Sequence, residues 1–324
     1  MSVKSRFDTL VTVYGGSGFL GRHVVRALAK RHYRIRVAVR RPELAGHLQP
    51  LGRVGQIHAV QTNIRHGGSV EAAARGADVL INLVGILAEG GRQKFNAVHR
   101  DGAEKVALAA NAHGARIVHV SAIGADENSP SSYARSKAEA EMLVRAAVPD
   151  AIIMRPSIMF GPEDSFFNRF GSMAVLAPAL PLIGGGVNRM QPVFAGDVAE
   201  AIARAVDGRA SAGTTYELCG PDILTFKELM EFTLKTIERK RVLLPLPFPL
   251  ARLMAMVLQF VPGAPLTPDQ VEMLKVDNIV SEQARIERRT LEGLGITTTE
   301  SIAAIVPTYL WRFRRTGQFR QQSV

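Results

Sequence analysis

Two sets of residues in this sequence have the types and spacing that could do chemistry. Tyr133 and Lys137 stand four apart in Ser131-Ser-Tyr-Ala-Arg-Ser-Lys-Ala-Glu-Ala-Glu141. On a helix that spacing puts a phenol and an ammonium on one face. The cation lowers the phenol's pKa, so that Tyr133 can act as a proton donor, and the same ammonium can reach a ribose. The second set is Gly15, Gly18 and Gly21, at three-residue spacing near the start. Glycine at Gly15 permits a tight turn, at Gly18 a close approach of backbone to a pyrophosphate, and at Gly21 close packing of a helix on a strand. The free N–H groups at that helix start, around Phe19 and Leu20, then face the phosphates.

The elements that must position these residues are legible around them. Leu10 to Tyr14 is a compact apolar, β-branched run that reads as one buried strand. Phe19, Leu20, Val24, Val25 and Leu28 then fall on one side of a helix. A glycine-rich turn without a ligand is the alternative, but strand, turn and helix in immediate succession favour a dinucleotide site. A P-loop is excluded, because Arg22-His23 stands where Lys-Ser/Thr is required.

Arg34 to Arg40 alternates at period two and predicts a second strand. An NAD site carries an acid near this strand's end, to bind the ribose hydroxyls. Here Arg40 and Arg41 occupy the place, and Glu43 lies past Pro42. Arginines there would pair with a 2′-phosphate, so NADP (as NADPH) is expected over NAD; a merely solvated loop is the alternative. Gln56 to Thr62 reads as a third strand running into Asn63-Ile64, where a side chain can meet an adenine. Asp78 to Gly85 is a fourth, with Val84 and Gly85 at a cofactor-side tip, and Arg116 to Ser121 a fifth. Between them, Ser69 to Gly76 and Phe95 to His113 read as helices. Alternating strands and helices predict an α/β fold, a doubly wound parallel sheet with a smaller, partly helical C-terminal region. The expected divisions are a core over 1–160, a substrate or docking region over 161–310 interleaved with late elements of the core, and a basic aromatic tail over 311–324.

In the last third, Val242 to Leu250 is apolar and broken by three prolines, and Ala251 to Phe260 is a short apolar helix. That helix is either core or faces a membrane or partner. Glu300 to Leu310 reads as a last helix interrupted by Pro307. The tail, Trp311 to Arg320, carries four arginines and no acid, as a disordered end or an anchor for an acidic surface would.

Composition sets the outer limits. The 324 residues are 47% hydrophobic and 21% charged, as in a soluble globular protein. The single Cys219 excludes a disulfide framework and fits a reducing compartment. A strand beginning about ten residues from Met1 leaves no room for a targeting peptide. Net charge is +11, which suits an anionic partner such as an acidic membrane surface, or else a solvated arginine-rich exterior. No zinc-ligand spacing or aromatic RNA-binding signature accompanies the charge, so no nucleic acid is expected. No run reaches 18 apolar residues, so nothing should span a bilayer.

Together, residues 8 to 235 resemble the extended or atypical short-chain dehydrogenase/reductases. The likeness rests on Gly15-x-x-Gly18-x-x-Gly21, Asn63-Ile64, Asn96, Ser121 and Tyr133-x-x-x-Lys137. Further on come Met154-Arg-Pro-Ser-Ile-Met-Phe-Gly161 and Val193 to Ile202, with Asp197 in the usual acidic place. The resemblance implies catalytic roles for Ser121, Tyr133 and Lys137, and a backbone at Arg155 and Pro156 beside the nicotinamide. One departure stands out: Val120-Ser-Ala-Ile-Gly124 keeps Ser121 but has Ala122 and Ile123 where the family usually places a second serine and the polarising hydroxyl. Residues 131 to 170 resemble more closely the nucleotide-binding accessory subunits of respiratory complex I, of the alpha-subcomplex subunit nine type, and their bacterial relatives. That resemblance implies a tightly held NADPH, a structural role, and other complex I subunits as partners. It also implies a peripheral place at the cytoplasmic side of a bacterial inner membrane. The alternative is a free NADP-dependent oxidoreductase or epimerase acting on a sugar-nucleotide, steroid-like or isoprenoid substrate. A third reading is a redox-sensing regulator.

Overall fold

The computed structural model describes residues 5–261 and 266–317 of the chain. By contacts the chain divides into two compact units. The first takes residues up to Pro156, Ala195–Leu218 and Ser281–Thr297, and the second takes Ser157–Phe194, Cys219–Val280 and Thr298 onward.

The first unit is built on β1 (Leu10–Tyr14), α1 (Phe19–Lys30), β2 (Arg34–Val39), β3 (Ile57–Gln61), α2 (Gly67–Ala74), β4 (Val79–Asn82) and α3 (Asp101–Ala112). It continues with β5 (Arg116–Val120), α4 (Ser132–Ala147), β6 (Ile152–Pro156), α5 (Ala195–Val206) and β7 (Thr215–Leu218). The seven strands are parallel, in the order β3-β2-β1-β4-β5-β6-β7. This is the doubly wound sheet expected from the sequence, with its order reversing between β1 and β4, where such sheets bind ligands beyond the carboxyl ends of their strands. Two polar residues inside buried β1 are satisfied by α2. Thr12 Oγ1 donates to the Ala73 carbonyl at 3.0 Å, and the Tyr14 hydroxyl donates to the Val70 carbonyl at 2.7 Å.

Two later segments complete this unit. Arg31, just past α1, binds Glu200 at 2.6 Å and Asp207 at 3.0 Å, on α5 and just beyond it. Residues 281–297 run along the exposed edge at β7. There Glu217 N–H donates to the Arg289 carbonyl at 2.9 Å, and Arg289 Nη1 donates to the Thr215 carbonyl at 2.8 Å.

The helix expected over Phe95 to His113 is not uniform. A wide π-turn, Asn96–Arg100, leads into α3, and it puts His99 among the buried residues.

The second unit contains three two-stranded pairs: Met159–Phe160 with Val193–Phe194, Ala179–Ile183 with Val242–Leu246, and Arg189–Met190 with Leu224–Thr225. Helices Phe167–Leu176 and Phe226–Thr236 contribute Phe167, Phe226, Leu229 and Met230 to one core, which Val306, Tyr309 and Leu310 also enter. Thr225 and Glu228 form a capping box at the start of the second helix. The expected last helix is two short turns, Ile302–Ile305 and Pro307–Leu310, divided at Pro307.

The first residues of the basic tail, 311–314, pack on this unit. Phe313 lies over Gly171, where a Cβ would come within 2.7 Å of its ring. Arg312 donates to Asn168, Arg314 Nε to the Thr236 carbonyl, and Arg239 Nε to the Phe313 carbonyl. Beside them the Tyr309 hydroxyl donates to buried Asp164. Residues 318–324 of that tail lie outside the described residues.

Candidate functional site

The glycine turn between β1 and α1 is closely packed backbone. Gly15 sits at φ +80°, which a side chain rarely adopts. At Gly21 a Cβ would lie 2.4 Å from the Gly15 carbonyl oxygen and 2.5 Å from Gly16 carbonyl carbon, so the helix crosses the turn at a distance only glycine allows. Gly18, the N-cap of α1, meets only the Gly15 oxygen at 3.3 Å, and no acidic residue occupies the helix's first turn, which holds Phe19 and Leu20. Val84 lies against the turn from the tip of β4, its Cγ2 3.2 Å from where a Gly15 Cβ would stand. The helix start therefore presents an uncapped, positively polarised end to an anion, as a dinucleotide pyrophosphate requires.

Arg40 and Arg41 follow β2 and are exposed. Neither guanidinium makes a hydrogen bond or ion pair among the described residues, so both are available to a ligand phosphate. Asn63 and Ile64 follow β3, but their side chains are largely committed. Asn63 Oδ1 accepts from Arg65 N–H at 3.2 Å, and Ile64 is buried against Gly102 of α3. Asn96, at the start of the π-turn, is exposed.

The structure brings Tyr133 and Lys137 together on α4, whose start is capped by Ser131 Oγ accepting from Ala134 N–H. Lys137 is buried, its Nζ donating to the Val120 carbonyl at 3.2 Å and standing 5.9 Å from the Tyr133 ring centre. Burial pushes its pKa down to about 8, against a smaller upward pull from Glu141. A Cβ at Gly85 would lie 3.5 Å from this ammonium, so the β4 tip and the α4 pair line one place. Ser121, just past β5, is buried, and its Oγ has no hydrogen-bond partner among the described residues. Ile123 is held by its own N–H, which donates to the Pro156 carbonyl at 3.0 Å. The Arg155 guanidinium is taken up by a two-pronged pair with Glu141, both contacts at 2.8 Å, so Arg155 and Pro156 offer backbone rather than charge.

Side chains that the motif spacing alone does not single out, His99 and Ser136 among them, support this arrangement. His99 Nε2 accepts from Ile86 N–H at 2.9 Å, which leaves the ring proton on Nδ1. That proton points at Ser136 Oγ at 2.9 Å, and Ser136 in turn donates to the Tyr133 carbonyl at 2.8 Å. The His99 ring also meets the Tyr133 ring edge-on, 5.4 Å between centres. Burial, with Lys137 nearby, keeps His99 neutral by lowering its pKa strongly. His119 is lowered likewise, to about 3, with Asn82 Nδ2 3.1 Å from its Nδ1.

Lys137 makes stability depend on pH. Between about 8 and the ordinary lysine value of 10.5 the unfolded chain binds the proton that the folded chain has lost, so this group raises stability as pH rises through that window. The expected result is a urea midpoint that climbs more in wild type than in Lys137→Met over that range. Parallel curves would place the ammonium in a more solvated setting.

The sequence matches the NAD dependent epimerase/dehydratase family over residues 11–219. The chain belongs to that family. It is 40% identical over 288 residues to the NADH dehydrogenase [ubiquinone] 1 alpha subcomplex subunit 9 of Arabidopsis thaliana, covering 85% of this chain and 72% of the plant protein. It is 39% identical to the ceramide reductase of Caulobacter vibrioides over 174 residues, 54% of each chain. The fold matches the dTDP-glucose 4,6-dehydratase of Streptomyces venezuelae, solved with NAD bound, at a TM-score of 0.70 and 22% identity, over 96% of this chain and 98% of that one. Membership makes the cofactor a nicotinamide dinucleotide, and the residues present fit one: the close Gly21 crossing, the α1 start without a side-chain cap and the unpartnered Ser121 hydroxyl leave room and polar groups for such a molecule.

Proposed function

We propose that this chain is an accessory subunit of respiratory complex I that holds NADPH and stabilises the assembly rather than turning over a substrate. The observation that carries the reading is the 40% identity to the plant alpha subcomplex subunit 9, across most of both chains. NADPH in place of NADH is supported by Arg40 and Arg41, two exposed guanidiniums where an NAD site carries an acid. On this reading the subunit docks peripherally at the cytoplasmic face of a bacterial inner membrane, against other subunits of the complex. Among the described residues no helix is long and apolar enough to cross a membrane.

The bound dinucleotide would supply a hydride. For transfer, the chain must hold a carbonyl oxygen between a proton donor and a second polarising group. Tyr133 can be the donor, with Lys137 beneath its ring. Ser121 is the one hydroxyl left to polarise, since Ala122 and Ile123 fill the neighbouring positions. Losing one such donor costs about 10²–10³ in rate. Tyr133 and Lys137 then serve as contacts to the nicotinamide ribose, while His99 keeps the α4 turn in register with the β4 tip.

The likeness to ceramide reductase favours a second reading, an NADP-dependent reductase of a lipid-like ketone. Incubating the purified protein with NADPH and sugar nucleotides, ketosteroids, quinones or ceramide-type ketones separates the two. The accessory-subunit reading expects no sustained NADPH oxidation, and Tyr133→Phe should retain cofactor within a few-fold of wild type. Robust oxidation that vanishes in Tyr133→Phe would establish the reductase instead.

A further inference from the structure

The helix Phe248–Leu258 in the second unit is apolar on the wrong side. Its only buried residues are Ala251 and Ala255, four apart, which pack on Ile183 and Val271. Its large side chains point outward: Leu250, Leu253, Met254 and Val257 recur at helical spacing, and Phe260 and Val261 follow just past its end. Leu253 is 58% exposed, Val257 67% and Phe260 84%. A helix facing water has the opposite arrangement, and an exposed apolar stripe of this kind marks an interaction surface.

Charge narrows what can cover it. From Arg239 to Pro268 the sequence holds Arg239, Lys240, Arg241 and Arg252 and no acid. Over residues 238–275 five cations, Arg239, Lys240, Arg241, Arg252 and Lys275, face three acids, Glu238, Asp269 and Glu272, so the stretch stays net positive; Glu272 is shared by Arg252 at 3.9 Å and Lys275 at 2.7 Å. Lys275 also stands 5.7 Å from the Phe248 ring. An acidic protein face would leave the leucines and methionines unmatched, and an apolar one would leave the cations unmatched. An anionic bilayer offers both chemistries in one surface, acyl chains beneath a negatively charged headgroup layer. At eleven residues the helix is about 16 Å long, too short to cross a bilayer and suited to lying in its surface.

We infer that the helix Phe248–Leu258, with Phe260 and Val261, is a monotopic anchor that beds its outer face into an anionic lipid surface, with Arg252 and Lys240 against the headgroups. The anchor belongs to the chain itself and does not depend on assembly into a larger complex, so it is tested on the purified full chain alone.

Flotation with phosphatidylcholine vesicles, with and without phosphatidylglycerol, reads it directly. The wild-type chain should float with the phosphatidylglycerol vesicles, less so at high salt, and remain behind with phosphatidylcholine alone. The triple variant Leu253→Gln, Val257→Gln, Phe260→Gln should lose at least about tenfold in vesicle partition while keeping the wild-type thermal unfolding curve. Phe260→Gln alone, beyond the helix end, gives a partial loss and serves if the triple variant does not fold. Three results would overturn the inference: equal partition of wild type and variants, equal binding to neutral and anionic vesicles, or a wild-type dimer without lipid that the triple variant converts to a monomer while neither binds vesicles. Failure of complex I assembly, by contrast, would leave the flotation result untouched.

Discussion

Gly21→Ala should cost at least about 2 kcal/mol of stability and remove measurable dinucleotide from the purified protein. The methyl group would stand 2.4 Å from the Gly15 oxygen and 2.6 Å from the Gly16 oxygen, and both are backbone atoms that cannot rotate aside. Either α1 lifts from β1 or the turn opens, and in each case the N–H groups at the helix start lose their aim. Gly18→Ala is the instructive partner. Its φ of −75° is open to any residue, and an added Cβ meets only the Gly15 oxygen, at 3.3 Å. That variant should keep nearly wild-type stability and still bind dinucleotide at least tenfold more weakly, because its methyl stands where the pyrophosphate must approach. Calorimetric titration with NADPH, alongside thermal unfolding, separates a fold effect from a ligand effect. A Gly18→Ala protein that binds as tightly as wild type would move the pyrophosphate away from this turn.

The second large effect belongs to Arg40 and Arg41. Replacing both by alanine should weaken NADPH by about 1.5–3 kcal/mol while changing NADH little, since only the former carries the 2′-phosphate. Both side chains are exposed, so solvent and salt screening place the loss nearer the lower figure. The discrimination between the two cofactors should shrink accordingly, by roughly tenfold at moderate salt. Equal affinity of the wild-type protein for NADPH and NADH would show that these arginines do no more than solvate the loop after β2.

What could be read in the sequence was whatever local pattern dictates. β1 is fully buried from Val11 to Tyr14, so its run is apolar and β-branched with Thr12 as its one small polar residue, and the glycine spacing after it follows from the turn that joins it to α1. The Tyr133–Lys137 pair was legible for the same reason, because i, i+4 spacing alone sets a shared helix face. His99 was not. Its partners are the Ile86 N–H, 13 residues earlier, and Ser136, 37 residues later, and a single histidine in an amphipathic run announces neither. Arg155 shows the converse. Its place beside Pro156 was visible, but the commitment of its guanidinium to Glu141 arises only when β6 lies beside α4. The tail beginning at Trp311 looked like a free basic end because its arginines lack sequence-adjacent acids. Arg312 and Arg314 instead find acceptors brought in by folding: the Pro162 and Thr236 carbonyls, Asn168 Oδ1 and, at 3.6 Å, the Glu238 carboxylate.

The most direct test of the account is to purify the tagged chain from its own cells in mild detergent and identify both what accompanies it and what it holds. Co-purification with the subunits of respiratory complex I is expected, in a fixed ratio that persists through sizing, with NADPH in the denatured extract at about one molecule per chain. A chain recovered alone, with no complex I subunit and with a dinucleotide that exchanges freely, would contradict it.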